Sequence, residues 1–172
     1  DRLAVVDRLP AGPRREPCPA GLRGWPRVRA AFQTVAHHEV ALLVLGAAVL
    51  AAAWNQPNQT GWWTYAVLWT MRASAKLNVF LGVRNASEDF LPPHLGYLGS
   101  YFARRPMNAL WPVTVGAASL VCFLMLRALL DADAGSFEAT SLALVGSLLS
   151  LAIVEHVFLV LPLPMTALWA WG

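Results

Sequence analysis

Residues 36–54 read AHHEVALLVLGAAVLAAAW, and this stretch decides the fold class. Between Val40 and Trp54 it holds no charged residue. A spanning helix needs ~20 mostly apolar residues, a length this run reaches only with His37, His38 and Glu39 at its start. Strands of a membrane barrel would alternate in polarity over ~10 residues, and this run does not. Similar runs occupy about 62–81, 110–130 and 138–161. The chain of 172 residues is 57% hydrophobic and 13% charged, against about 25% charged in a soluble domain. The pattern predicts an all-α, polytopic transmembrane helix bundle with about four spans. A basic segment, 1–35, precedes a transmembrane helical domain, 36–172. The loop 82–109 joins the middle spans.

Lys and Arg beside span ends set orientation. Arg2, Arg8, Arg14, Arg15, Arg23, Arg27 and Arg29 precede the first run, and Arg84, Arg104 and Arg105 lie in the loop 82–109. The link NQPNQTG, 55–61, is uncharged, and LLDADAGSFE, 129–138, is acidic. Both the N-terminal segment and the loop 82–109 are therefore expected in the cytoplasm, with the C-terminus. The net charge of +3 is small and sits where it orients spans. Membrane lipids are the expected surroundings, and no nucleic acid is expected as a partner. Trp54, Trp62, Trp63, Trp169 and Trp171 suit the headgroup level. Cys18 in a basic loop and Cys122 in an apolar run do not suggest a disulfide framework. Asn58-Gln59-Thr60 and Asn85-Ala86-Ser87 match the glycosylation pattern, a short match that chance often supplies.

The loop itself carries a short interfacial helix in SEDFLPPHLGYLGSYFARRP, 87–106. Ser87 is its candidate N-cap, and Pro92 and Pro93 suit a helix entry. Leu95, Leu98 and Phe102 form one apolar stripe, and Pro106 stops the segment.

Ionisable residues inside the apolar runs are the candidate site, since charge at membrane depth is expensive and marks function or a buried pair. At ~1.5 Å rise per residue, Glu39, Lys76 and Glu155 fall at one level in the cytoplasmic third of the membrane. Arg72 lies one turn deeper, on the same helix face as Lys76. Three roles are open. Glu39, Arg72, Lys76 and Glu155 can form a buried ion-pair cluster that sets helix order. His37, His38 and His156 can supply an imidazole to a metal or a metal tetrapyrrole. Glu39, Glu155, His38 and His156 can ligate a catalytic metal or act as acid–base groups. The Glu-x-x-His spacing of diiron bundles is absent, and the adjacent Glu155 and His156 diverge by ~100° on a helix.

Three stretches carry a resemblance: GPRREPCPAGLRGWPRVRAAFQTVAHHE, 12–39; SAKLNVFLGVRNASEDFLPPHLGYLGSYFARRPMNALWPVTV, 74–115; and EHVFLVLPLPMTALWAWG, 155–172. Together they resemble the photosynthetic complex assembly proteins of the PuhE type from purple phototrophic bacteria, over almost everything after Gly12. The genes of that family lie beside the gene of the reaction-centre H subunit. Its members are longer at the N-terminus, which implies that this chain is a C-terminal portion. The resemblance implies a bacterial inner membrane protein, in the intracytoplasmic photosynthetic membrane. Its expected partners are reaction-centre and core light-harvesting subunits, and bacteriochlorophyll or another metal tetrapyrrole is the expected cofactor, bound or delivered. It carries over no catalytic residues. A metal-dependent membrane enzyme of pigment metabolism and a structural subunit docked on the photosynthetic complex are the alternatives.

Overall fold

The computed structural model describes residues 16–86, 88 and 91–162, and no strand occurs among them. The α-helices are α1 (Gly24–Ala53), α2 (Thr60–Leu81), α3 (Leu110–Asp131) and α4 (Phe137–Phe158), with a 3-10 helix at Pro93–Tyr101 between α2 and α3. The all-helical class is as expected. α1, α3 and α4 are long and apolar enough to cross a membrane. α2 has 22 residues, but Arg72, Ser74, Lys76 and Asn78 lower its hydropathy. The expected four spans thus exceed by one what length and apolarity support. α1 begins at Gly24 rather than near residue 36, so Arg27 and Arg29 ride on its first turns.

The chain forms two compact units, Asp1–Leu43 with Glu88–Tyr101 and Val44–Ser87 with Phe102–Gly172. In the first, the 3-10 helix is tied down by its own C-terminal residues. The Tyr101 hydroxyl donates to the Glu16 carbonyl at 3.0 Å, and Arg27 Nη2 donates to the Tyr101 carbonyl at 2.9 Å. Ser100 Oγ accepts from the Cys18 N–H at 2.8 Å. The expected stripe is corrected here. A 3-10 helix repeats every ~3.0 residues, so Leu95, Leu98 and Tyr101 align, and Tyr101 is the buried member, 2% exposed. Phe102 lies beyond the helix. Gly96 and Gly99 disfavour an α-helix in this stretch. The expected N-cap, Ser87, lies outside the described residues.

In the second unit, α2, α3 and α4 pack on one another around Met71, Ala118, Leu149 and Ala152. The N-terminus of α4 is capped by Ser136 Oγ, which accepts from the Ala139 N–H at 3.0 Å, with Glu138 in the first turn where the helix dipole favours an acid. α1 contributes its last turns. Gly46 permits this approach, because a Cβ there would lie 2.5 Å from Tyr65 Cε1.

Two asparagines staple the helix ends at the opposite side of this unit. Asn108 Nδ2 donates to the carbonyls of Asn78 (3.1 Å) and Gly82 (3.0 Å), ending α2. Its Oδ1 accepts from the N–H groups of Leu110 and Trp111, starting α3. Asn85 Nδ2 donates to the carbonyls of Phe158 and Leu161, both at 2.7 Å, closing α4. These contacts satisfy backbone groups that helix ends leave orphaned. Asn85, which matched a glycosylation pattern, spends its amide on this closure.

Candidate functional site

The ionisable residues separate by environment. His37 and His38 are exposed on α1. Glu39 is half-buried, and its Oε1 lies 3.5 Å from His38 Nδ1. On α2, Arg72 is exposed and Lys76 half-buried; on α4, Glu155 is exposed while His156 has no exposed surface. The adjacent Glu155 and His156 thus diverge as helix geometry requires. Among the described residues, no three His, Cys, Asp or Glu side chains are grouped to hold a metal ion.

The unit formed by α2, α3 and α4 instead gathers a buried network of mostly uncharged groups around His156. His156 Nδ1 lies 2.9 Å from the Ala152 carbonyl, one turn earlier on α4. A carbonyl has no proton to give, so Nδ1 carries the hydrogen. In the neutral ring Nε2 then holds a lone pair, and it accepts from the Ser74 hydroxyl of α2 at 3.0 Å. Asn78, one turn beyond Ser74, is also fully buried. Its Nδ2 donates to the Ser74 carbonyl (3.0 Å), to Ser74 Oγ (3.4 Å) and to Thr114 Oγ1 of α3 (3.3 Å). Thr114 Oγ1 donates to the Trp111 carbonyl at 3.0 Å, and Trp111 Nε1 donates to the His156 carbonyl at 2.7 Å. Three helices are thereby locked in register by directional bonds, which a uniformly apolar interface does not provide.

Asn78 Oδ1 is buried with no hydrogen-bond partner among the described residues. Its assignment is unambiguous, since the other amide atom faces a carbonyl and must be the nitrogen. An unpaired buried acceptor costs about 1–3 kcal/mol.

Beside the network opens a cavity of about 620 Å³, with Ser74 and Thr114 among its lining and Val67, Ala117, Val145 and Leu149 along its apolar walls. That volume falls in the ~300–1,000 Å³ range of small-molecule sites.

This geometry bears on the expected pigment. An axial imidazole must offer a nitrogen lone pair to open space. His156 does not, because both ring nitrogens are engaged and the residue is fully buried. His37 and His38 present exposed rings that suit the role.

Sequence reading singled out His156 but missed Ser74, Asn78, Asn108 and Thr114. Ser74 and Asn78 carried a usable signal: two polar residues four apart, on a face ~200° from the one bearing Arg72 and Lys76. Uncharged side chains in an apolar run attract less attention than charged ones, though each also needs a partner when buried.

Residues 3–172 match the model of a family described as protein of unknown function (DUF3623). The chain is 38% identical, over 98% of its length, to a Rhodobacter capsulatus protein described as an uncharacterized 30.4 kDa protein in the puhA 5′ region. It spans 61% of the length of that curated relative. No solved structure matches.

Proposed function

The chain belongs to the DUF3623 family, and from that premise we propose that it is an integral membrane factor for assembly of the photosynthetic reaction-centre and core-antenna complex. One observation carries the proposal: a relative 38% identical over nearly the whole chain is named for its place in the puhA 5′ region. The resemblance to PuhE-type assembly proteins points the same way. The make-up of the molecule agrees with it, since three helices are long and apolar enough to cross a membrane. The membrane we propose is the photosynthetic inner membrane, and the partners are the reaction-centre and core light-harvesting subunits.

Bacteriochlorophyll is the cofactor that fits this role, and His37 or His38 of α1 would hold it. Bound there, the pigment would take one imidazole on its central Mg. Glu39, 3.5 Å from His38 Nδ1, would then orient the ring and leave Nε2 for the metal.

Deleting the coding sequence in a phototrophic host tests the role. Assembled reaction-centre complex should fall while free pigment synthesis continues. Accumulation of one biosynthetic intermediate would favour the enzyme instead, and unchanged complex levels would remove the assembly role. Exchanging both His37 and His38 for Ala should abolish any pigment band that copurifies with the wild-type protein in mild detergent.

A further inference from the structure

We propose that the cavity walled by α2, α3 and α4 binds a long hydrocarbon chain that ends in a hydroxyl group. The site stands on its own geometry and holds whether or not the protein serves a photosynthetic complex.

The shape comes from the spacing of its lining. On α2 the lining runs from Trp63 to Ser74 and on α3 from Thr114 to Met125, each ~16 Å at ~1.5 Å per residue. Ala66, Ala117 and Ala118 stand in that lining where larger residues would fill the space. The result is a slot along the helices, apolar for most of its length, which suits an extended chain.

The chemistry of the end group follows from counting hydrogens. A hydroxyl has one proton and two lone pairs. Ser74 spends its proton on His156 Nε2, and Thr114 spends its proton on the Trp111 carbonyl. Each also accepts from Asn78 Nδ2. What remains at the Ser74 and Thr114 end of the cavity is one lone pair on each oxygen. Between Ser74 and Thr114 the wall therefore offers two acceptors, with the Thr70 hydroxyl one turn earlier on α2 in the same lining. An alcohol meets it with a proton. A ketone, ester or carboxylate would place oxygen against oxygen, and the carboxylate would add an uncompensated buried charge.

Photolabelling of the full chain in mild detergent tests the assignment. The probe is a long-chain alcohol carrying a mid-chain diazirine, paired with the methyl ester of the matching acid. The alcohol should label peptides of α2, α3 and α4, and the ester about tenfold less, since a site built to bond a hydroxyl rejects an analogue lacking it. Ala117→Phe, introduced from an exposed lining position, should lower alcohol labelling by about tenfold. Leu120→Phe, on the exposed surface outside the lining, should not. Ala66→Leu gives the same reading from α2 should Ala117→Phe fail to fold. Thr114→Val should narrow the difference between alcohol and ester. Competition by an unlabelled straight-chain alcohol against an isoprenoid alcohol then separates the two natural sources of such a chain. Equal labelling by alcohol and ester, labelling that ignores the filled cavity, or no labelling of these helices would overturn the proposal.

Discussion

His38-Glu39 on α1 and Glu155-His156 on α4 are the same two residue types, and their environments are mirror images. On α1 the histidine side chain is 52% exposed and the glutamate 14%. On α4 the histidine is fully buried and the glutamate exposed. Adjacent helical residues point ~100° apart, so one member of each pair must turn away from the surface the other faces. Which member goes inward depends on what waits there. His156 meets a carbonyl on its own helix and a hydroxyl on α2, so its imidazole has a partner at both nitrogens. A carboxylate in that place would face the Ala152 carbonyl with nothing to donate. Composition alone cannot distinguish these two pairs; their neighbours do.

Exchanging the order on α4, Glu155→His with His156→Glu, should break the contrast most severely. It buries a carboxylate against a carbonyl, and an uncompensated buried charge costs about 3–5 kcal/mol. Denaturant titration in mild detergent should show little folded protein. A stability near that of the wild type would mean that the surroundings of His156 do not favour an imidazole over a carboxylate.

A gentler contrast uses single truncations. His156→Ala leaves Ser74 without its acceptor and opens a space, so it should destabilise by about 2–4 kcal/mol. His38→Ala, at an exposed position, should stay within about 0.5 kcal/mol. Thermal unfolding of the two variants under one condition measures the difference, and equal shifts would contradict the assigned roles.

The smallest perturbation sharpens the comparison by placing the pairs relative to the membrane. In a background with Cys18 and Cys122 replaced by Ser, single cysteines at Asn58, Ala134 and Arg104 should differ in labelling by an impermeant reagent. Asn58 and Ala134 should react from the periplasmic side and Arg104 should not, because Arg-rich flanks favour the cytoplasmic side. Reaction at Arg104 with failure at Asn58 and Ala134 would reverse the orientation. Reaction at both Asn58 and Arg104 with failure at Ala134 would show that α2 does not cross.

The helical class and the extent of the long helices are legible in the residues alone, because a run of ~20 apolar residues has few other ways to satisfy its backbone in lipid. The sequence placed α3 and α4 within a few residues of their observed ends, 110–130 against Leu110–Asp131 and 138–161 against Phe137–Phe158. It also showed that something polar sits on the membrane-level helices. The early start of α1 was less legible, since polar residues before a span do not themselves mark a helix boundary. The loop was read with the wrong period, because Leu95 and Leu98 fit a repeat of 3.0 as well as one of 3.6 until Tyr101 is seen to be buried. Which polar groups meet is settled by how the helices pack. Ser74, Asn78, Thr114 and His156 lie on three helices and come together through packing around Met71, Ala118 and Leu149. A hydrogen bond depends on a few tenths of an ångström and on which atom carries the proton, and neither is encoded in the spacing of one helix.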